Sequence, residues 1–426
     1  MKINLIHPPQ YGVIDDRLDP PLGLMTIAAN LIKEGFDDVS ITDLSGMKED
    51  QWVIPPSDLY GITVYSPSVN IAKSIARKCK EVNRNSTVVC GGIHATILPG
   101  TLLDDACIDS VVRGYGERVM VTIARNLPKI EKIYEGKIDS LTDLPVPSRH
   151  LVKTESYSRL VKNHRAFNIQ TARGCPFSCN FCSEHVFTDK ILQRSVENIK
   201  EEVQDITTNY SGKALFIYDD IFTINKSRLH SVLAFFSEKK MIFDFHLRVD
   251  SVSYEECQAL KYSGGNNARL GIESFSDDIL VRMNKGISRQ KNIDAIKKVK
   301  DSGLLARIFI IFGFPGETEK TVDETIEGIE VADPDQIFLS TFVPFPGCPV
   351  WFFPNKYGIT SIDTDYSKYS FVSDMGKGNI VFDTVYSSRD TMLKLQDRIY
   401  SYVYSRSFRG ENQKYYSSLL ANINGE

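Results

Sequence analysis

The strongest constraint on how this chain folds is a rhythm. Short apolar runs, each closed by glycine, proline or serine, alternate with longer amphipathic stretches, and the pattern occurs twice along 426 residues. In the first passage Lys2–Ile6, Val39–Asp43, Leu59–Tyr65, Thr87–Cys90 and Ser110–Arg113 have strand character, while Leu22–Lys33, Val69–Asn83 and the stretch ending at Leu127 have helical periodicity. Such alternation predicts an α/β chain opening with a doubly wound, Rossmann-like parallel sheet. In the second passage, from Ala166 to Pro344, strands are expected at Phe167–Thr171, Ala214–Tyr218, Phe243–Arg248, Ala268–Gly271, Ala306–Phe312 and Gln336–Thr341. Helices are expected between them at Ser195–Thr208, Ser227–Lys239, Tyr254–Ser263, Ser288–Ser302 and Glu319–Ala332. Roughly six βα units make a partial barrel, smaller than the eight-unit one, with its site at the carboxyl ends of the strands.

Two stretches fall outside the rhythm. Pro128–Lys162 contains Asp143-Leu-Pro-Val-Pro-Ser-Arg149, whose prolines suit a connector. After Pro354 the pattern is irregular until Arg389–Ser405, where Met392, Leu393, Leu395, Ile399 and Val403 recur at helical spacing, a stripe for packing on the barrel. The expected division is 1–127, a linker at 128–162, the barrel at 163–350, and a small α-rich cap at 351–426 that shapes the substrate pocket.

Composition narrows the function classes. A hydrophobic fraction of 42%, a charged fraction of 24% and a net charge of −4 suit a globular protein and give no reason to expect binding to nucleic acid or anionic membrane. No apolar run reaches the length of a membrane span, and Met1-Lys-Ile-Asn-Leu-Ile6 reads as a strand rather than a signal peptide. Eight cysteines in a chain this long form no disulfide framework, so the expected compartment is the cytoplasm.

Three of the cysteines stand together, in Thr171-Ala-Arg-Gly-Cys-Pro-Phe-Ser-Cys-Asn-Phe-Cys182. Cys175, Cys179 and Cys182 must share one loop, just beyond the first strand of the second passage. Thiolates suit an iron–sulfur cluster or zinc. A zinc site completed by His185 or a distant residue is the plain alternative, although zinc sites usually present two ligand pairs and no second pair is visible. Cys79, Cys90, Cys107, Cys257 and Cys348 are scattered singly, so a cluster held here has three protein ligands and an open iron.

Later strand ends are polar. Asp219 and Asp220 close the second strand of this passage and suit either acid–base work or loop structure. Arg248 closes the third, with a salt bridge to a neighbouring acid as its structural reading. Glu273 closes the fourth, where an acid can accept hydrogen bonds from hydroxyl or ammonium groups. The glycines of Ile311-Phe-Gly-Phe-Pro-Gly-Glu-Thr318 let the backbone approach a ligand. In the first passage, Tyr65-Ser-Pro-Ser68, Gly91-Gly-Ile-His-Ala-Thr96 and Gly114-Tyr-Gly-Glu117 follow successive strands. Three small-residue loops at one sheet edge suit an extended ligand, and no Gly-x-Gly-x-x-Gly follows the first strand, which speaks against a nicotinamide cofactor.

The spacing Cys-x-x-x-Cys-x-x-Cys with Phe181 before its last cysteine resembles the radical S-adenosylmethionine family. Leu270-Gly-Ile-Glu-Ser-Phe-Ser276 through Met283-Asn-Lys-Gly286, and Gly313-Phe-Pro-Gly316, extend the resemblance. Together with Asp19-Pro-Pro-Leu-Gly-Leu-Met-Thr-Ile-Ala-Ala29 and the three N-terminal loops, they point to the class that carries a cobalamin-binding domain before the barrel. The resemblance covers residues 1 to roughly 350. It implies a 4Fe–4S cluster on Cys175, Cys179 and Cys182 whose open iron binds S-adenosylmethionine. Phe181, Asp219, Asp220, Arg248, Glu273, Ser274, Gly313 and Pro315 are implied around that cofactor. Tyr65, Ser66, Ser68, Gly91, Gly92, His94, Gly114, Gly116 and Glu117 are implied around cobalamin, whose cobalt receives no histidine from an Asp-x-His-x-x-Gly element, absent here.

The implied reaction is reductive cleavage of S-adenosylmethionine to a 5′-deoxyadenosyl radical. Hydrogen abstraction from an unactivated carbon of a small-molecule substrate and methylation of that carbon follow, with electrons from an external donor such as flavodoxin or ferredoxin. Alternatives are a non-methylating outcome (rearrangement, cyclisation, ring contraction or oxidation) and a non-catalytic iron–sulfur redox sensor. Cys348 stands where the family usually has a small residue such as threonine. A thiol there either packs in a turn or takes part in the radical chemistry.

Overall fold

The computed structural model describes residues 1–10, 13, 15–187, 190–251, 253–372 and 377–407. It divides into two compact units. The first comprises residues 1–11, 15–159 and 184–211; the second comprises 12–14, 160–183 and 212–426. Among the described residues no helix is long and apolar enough to cross a membrane.

The first unit is built on a parallel six-stranded sheet in the order β2-β1-β3-β4-β5-β6. Its strands are β1 (Ile3–His7), β2 (Val39–Asp43), β3 (Leu59–Thr63), β4 (Thr87–Gly91), β5 (Ser110–Gly114) and β6 (Ile133–Gly136). Side-chain alternation accounts for its double winding. Ile3, Leu5, Leu59, Val89 and Val112 meet Leu24, Ala28 and Leu31 of helix Leu22–Lys33 and Met120, Ile123 and Ala124 of helix Gly116–Asn126. Ile6, Ile62, Val88, Cys90 and Val111 meet Ala72, Ile75 and Cys79 of helix Val69–Val82. The order reverses at β1/β3, so the ligand crevice of such a sheet opens beyond the carboxyl ends of these two strands.

The stretch read as a connector does more than connect. Ile133–Gly136 pairs in parallel with β5 and extends the sheet, and residues up to 159 belong to the first unit. Helix Val196–Asn209 also belongs to it, where Glu202 is buried between Arg149 and Arg194 in an ion triad.

The second unit holds a seven-stranded sheet that curls as a partial barrel, in the order β13-β12-β11-β10-β9-β8-β7. The six parallel strands are β8 (His164–Ile169), β9 (Ala214–Ile217), β10 (Ile242–Leu247), β11 (Gly265–Glu273), β12 (Leu305–Phe312) and β13 (Gln336–Thr341). The short β7 (Leu160–Val161) runs antiparallel along β8. Helices start where the sequence offers a cap: the side chains of Asn225, Ser253, Ser288 and Thr318 each accept an amide hydrogen bond from the first turn.

After the barrel, an antiparallel pair (Ile359–Ile362 with Phe382–Thr384) accompanies helix Arg389–Ser407, so the region is not wholly helical. This helix buries Met392, Leu395, Ile399 and Val403, whereas Leu393, counted in the same stripe from the sequence, is exposed. It packs on the barrel, where Gln396 donates to Thr341 Oγ1 at 2.8 Å and the Tyr400 hydroxyl lies 3.1 Å from the same oxygen.

Candidate functional site

The cysteine loop leaves the end of β8 and is held at both ends. Asp219, fully buried just past β9, accepts the Thr171 amide at 2.5 Å and the Thr171 hydroxyl. Arg228 completes the clamp by donating to the Thr171 carbonyl at 2.9 Å and to its hydroxyl at 2.6 Å. Burial pushes the Asp219 carboxyl up to about 6, against the hydrogen bonds from Thr171 and Ala172 and the charge of Arg228. Of the two acids read at this strand end, Asp219 is thus a loop clamp. Asp220 is exposed at the rim and accepts the Gly174 amide.

Further along, the Asn180 amide donates to the Met283 carbonyl at 2.8 Å and its side chain to the Arg282 carbonyl at 2.7 Å. Asn284 returns a bond to the Ser178 carbonyl at 2.8 Å. The segment Met283–Gly286 is therefore the second wall of the loop. Cys179 is buried, while Cys175 and Cys182 are half-buried.

Arg248 faces the loop with Nη1 3.8 Å from Cys179 Sγ and its guanidinium 3.7 Å from the centre of the Phe177 ring. Nη2 donates to the Lys285 carbonyl, and Nε pairs with Asp250 at 2.8 Å. Among the described residues no three His, Cys, Asp or Glu side chains gather as ligands of a single ion would. Thiolates that each bind a separate iron need no such convergence. Three thiols on one pinned loop, with a guanidinium against the buried one, fit an anionic cluster in softness and in charge.

Around this loop the strand ends carry unusual backbone. Glu273, at the end of β11, is buried and has φ +65°, a strained conformation for a side-chain-bearing residue. Lys285 Nζ meets its carboxylate at 2.7 Å. A Cβ on Gly271 would lie 2.7 Å from Glu273 Oε1 and 3.1 Å from Lys285 Nζ, so a side chain there would push on the ends of this pair where it folds back over the strand. Ser274, grouped with Glu273 in the sequence reading, turns away. Its hydroxyl lies 3.1 Å from Thr325 Oγ1 and accepts the Ser276 amide, so it fixes the turn after β11.

Gly313 has φ +84° and donates its amide to Glu317 Oε2 at 3.2 Å. Glu317 also accepts from the Thr321 hydroxyl at 2.6 Å, and burial pushes its carboxyl up to about 7. Pro315 is buried beside them, and Phe181 packs among Ile279, Met283, Phe314 and Cys348. Cys348 is fully buried, accepts the Trp351 amide on its sulfur at 3.4 Å as a helix cap, and burial pushes its thiol up to about 11. It is a packed cap.

At the crevice edge of the first unit, much of the predicted ligand set holds the loops. His94 is fully buried, with Nδ1 3.0 Å from Ser66 Oγ and Nε2 2.8 Å from Thr101 Oγ1, and burial pushes its pKa down to about 4. Ser66 and Ser68 are buried, and Ser68 closes the turn on Tyr65. Glu117 is buried, and its carbonyl accepts from Asn30 at 2.8 Å. Gly91, Gly92, Gly114 and Gly116 present half-exposed backbone, and Tyr65 is exposed. Gly92 has φ +98°, and a Cβ there would lie 3.0 Å from the Val64 carbonyl oxygen.

Sequence reasoning missed several residues of these edges. Lys285 lies inside the Met283–Gly286 segment with no role of its own legible there, Thr171 and Arg228 carry none either, and Glu317 reads from the sequence only as the start of a helix. His7, the last residue of β1, stands at the switch point, 6.5 Å from the Tyr65 ring; its Nδ1 is buried without a hydrogen-bond partner among the described residues, and burial lowers its pKa despite Asp43 and Asp16. Its place at the end of the first strand was the available signal.

The chain matches the Radical SAM superfamily over residues 169–329 and the B12 binding domain over 19–124. It is 31% identical over 414 residues to an uncharacterized methyltransferase of Pyrococcus horikoshii, covering 88% of each chain. It is 25% identical over 413 residues to the anaerobic magnesium-protoporphyrin IX monomethyl ester cyclase of Rubrivivax gelatinosus, covering 88% of this chain and 74% of that one. Among solved structures it is similar in fold to the radical S-adenosylmethionine methyltransferase TsrM of Kitasatospora setae, determined with cobalamin and a [4Fe-4S] cluster bound. The TM-score is 0.70 at 16% identity, over 94% of this chain and 91% of that one.

Proposed function

Because the chain belongs to the radical S-adenosylmethionine enzymes that carry a cobalamin-binding domain, we propose that it cleaves S-adenosylmethionine reductively at the Cys175–Cys179–Cys182 loop and methylates an unactivated carbon of a small-molecule substrate. The observation that carries this reading is the pinned three-thiol loop, bordered by the Glu273–Lys285 pair and the Gly313 turn, in a chain that also has a B12 binding domain. When bound, the cluster supplies the electron that splits S-adenosylmethionine into methionine and a 5′-deoxyadenosyl radical, and cobalamin supplies the methyl group.

The chain's own residues position and enclose. Cys175, Cys179 and Cys182 hold the cluster, and Arg248 offsets thiolate charge at Cys179. Glu273, fixed by Lys285, accepts hydrogen bonds from the ribose hydroxyls or ammonium of S-adenosylmethionine. Gly313 and Pro315 present backbone and ring to the adenosyl group, Phe181 closes the wall behind it, and Asp220 lines the rim. Asp219 and Ser274 act one step back, through Thr171 and the turn after β11. In the first unit Tyr65 and the backbone of Gly91, Gly92, Gly114 and Gly116 face the corrin ring, over loops that His94, Ser66, Ser68 and Glu117 hold in shape. An external donor such as flavodoxin or ferredoxin reduces the cluster.

The test is anaerobic reconstitution with iron and sulfide, then dithionite and S-adenosylmethionine. The expected product is 5′-deoxyadenosine, abolished in Cys175→Ala; none above that variant sinks the radical reading. Retention of a corrin spectrum after desalting is expected with added hydroxocobalamin, and a colourless protein removes the cobalamin assignment. The cyclase relative supports a second, non-methylating outcome. A deuterated methyl group from S-adenosylmethionine appears in product only under the first.

A further inference from the structure

The second unit keeps large apolar side chains in water beside its cysteine loop. Val350-Trp-Phe-Phe-Pro354 follows the Cys348 cap. Helix Pro349–Phe352 buries Val350 and packs Trp351 on the core, while Phe352 is 50% and Phe353 63% exposed. Their rings lie 6.4 Å apart, and Phe352 meets Trp351 edge-on at 5.1 Å. Helix Asp277–Arg282 shows the same split: Ile279 and Leu280 are buried, whereas Val281 is 78% exposed. Single apolar residues are ordinary on a surface, and contiguous ones mark a place for a partner.

These two segments meet at the loop. The Val350 amide donates to the Asn180 carbonyl at 3.2 Å, and the Asn180 side chain donates to the Arg282 carbonyl at 2.7 Å. Asn180 stands between Cys179 and Cys182, so both segments are tied to the stretch that carries the thiols. They also meet on the far side. The Arg282 guanidinium sits 4.8 Å from the centre of the Tyr386 ring and donates to its hydroxyl at 3.1 Å. That ring covers Gly358, where a Cβ would lie 2.6 Å from it, and Gly358 ends the turn Pro354–Tyr357 that carries Lys356. Arg282 and Lys356 are exposed, and among the described residues neither makes an ion pair: one lies on Tyr386, the other 5.8 Å from the centre of the Tyr357 ring. Asp278, one helical turn before Arg282, is exposed and does not pair with it.

We propose that this patch is the docking surface for the electron donor, and that the donor is a flavodoxin. A molecule seated on it lies beside Cys179 and Cys182, and the partner that the proposed reaction needs there is the source of its electron. A flavodoxin is acidic, and its flavin shows solvent the apolar, methyl-bearing edge of the ring, a match for Phe352, Phe353 and Val281 flanked by two cations. The whole chain has a net charge of −4, so Arg282 and Lys356 supply the local attraction that lets an acidic protein approach. A second copy of the chain fits less well, since a two-fold pairing on this patch brings its own cations together. The anionic flavin hydroquinone gives one electron to the cluster and is left as the neutral semiquinone, so no proton moves. A small aromatic surface suits an encounter that must release after each transfer. This inference rests on the proposed function, since it names the partner of that site.

The test uses full-length protein, as purified and reconstituted, with oxidised bacterial flavodoxin as the probe and binding measured by calorimetric titration at low salt. Lys356→Glu and Phe353→Ala are each expected to weaken binding about tenfold, the loss of one charge contact or one anchoring ring. Lys129→Glu, at an exposed cation of the first unit, is expected to change it less than about twofold. High salt should erase the effect of Lys356→Glu and spare that of Phe353→Ala. If Phe353→Ala does not fold, as judged by circular dichroism, Phe352→Ala decides by the same ratio. In the reconstituted samples, 5′-deoxyadenosine formation driven by limiting flavodoxin hydroquinone should fall with the affinity, and formation driven by dithionite should not. No binding by the wild type, or equal binding by the wild type and both variants, overturns the proposal. So does a bacterial ferredoxin that binds more tightly than flavodoxin and loses affinity in the same variants, or a dimer in sedimentation that Phe353→Ala dissociates. The two readings fail separately. No 5′-deoxyadenosine with dithionite beside variant-sensitive flavodoxin binding condemns the radical assignment alone, and dithionite turnover beside variant-insensitive binding condemns the docking surface alone.

Discussion

The ligand edges of the two units are built from different chemistry. At the ends of β3 to β5 the loops are tied by neutral hydrogen bonds: His94 between two hydroxyls, Ser68 on Tyr65, and Thr96 Oγ1 accepting the Gly114 amide at 3.0 Å. At the ends of β8 to β12 they are tied by charges: Asp219 with Arg228, Glu273 with Lys285, Arg248 with Asp250. The contrast matches the two cofactors. A corrinoid presents a broad, amide-fringed surface that asks for shaped backbone, whereas thiolates and a zwitterionic sulfonium ligand ask for compensated charge. Each edge therefore breaks by its own route.

The largest effect is expected on the charged edge. Asp219→Ala strips two hydrogen bonds from Thr171 and removes the buried carboxylate paired with Arg228, a change of the class that costs about 3–5 kcal/mol. Hydrogen exchange should quicken in β8 and the residues leading to Cys175, and iron bound after reconstitution should fall. Protection around His94 should stay at the wild-type level. Full iron loading with normal protection of β8 would reduce Asp219 to a bystander.

Acid separates the edges by sign. His94 titrates at about 4 in the fold against about 6.5 in an unfolded chain, so below neutrality the unfolded state takes up the proton first. Going from pH 8 to pH 5 should cost the first unit about 2 kcal/mol. Glu317 and Asp219 titrate at about 7 and about 6, above their ordinary values, so here the folded state takes up protons first. Each carboxyl makes the second unit more stable as pH falls through its folded value, by about 2–3 kcal/mol for Glu317 over the same interval. Exchange measured at both pH values on one sample should show protection falling around Gly92–Thr96 and rising around Gly313–Thr321. His94→Gln should flatten the first trend and Glu317→Gln the second.

These same residues mark where the sequence is legible and where it is not. Val39–Asp43, Gln336–Thr341 and Glu319–Ala332 were readable to the residue, because β-branched runs and a Thr318 cap are local signals. Ile133–Gly136 was not, since a four-residue edge strand with exposed positions carries no period. At the sites, the cysteine spacing points to the loop proposed to hold the cluster, and the glycines to the sheet edge proposed as the crevice. What escaped was the direction in which a polar side chain points. His94, Ser66 and Asp219 sit on the loops proposed to bind ligand, and a residue that braces such a loop occupies the same sequence position as one that touches the ligand. Only pairing across distant strands, as Thr171 with Asp219, tells them apart.

A smaller effect tests whether the neutral edge depends on backbone shape. Gly92→Ala places a Cβ 3.0 Å from the Val64 carbonyl at φ +98°, a conformation that costs a side-chain-bearing residue about 1–3 kcal/mol. Gly91→Ala, next door, meets nothing closer than 3.9 Å and has no positive φ. The first variant should lower the melting temperature and weaken corrin retention, and the second should leave both within about 0.5 kcal/mol of wild type, as for an unstrained surface change. Equal behaviour of the two would mean that the turn at Gly92 yields and that its shape is not what the crevice needs.

The smallest effect is expected where a reactive group was most tempting. Cys348 is the one thiol beyond the cluster loop that stands in a family motif near the radical site, and a hydrogen atom donor there would change the outcome of the reaction. Its sulfur, however, accepts the Trp351 amide, lies fully buried among Ile279, Met283, Phe314 and Phe342, and stays a thiol because burial raises its pKa to about 11. A serine hydroxyl caps a helix at least as well as a thiol and is slightly smaller, so the cap is kept and the loss is a little apolar packing, about 1 kcal/mol. Cys348→Ser should therefore leave the yield of 5′-deoxyadenosine unchanged and lower the melting temperature only slightly. A large fall in that yield with iron and corrin content intact would move Cys348 from the packing of the turn into the radical chemistry.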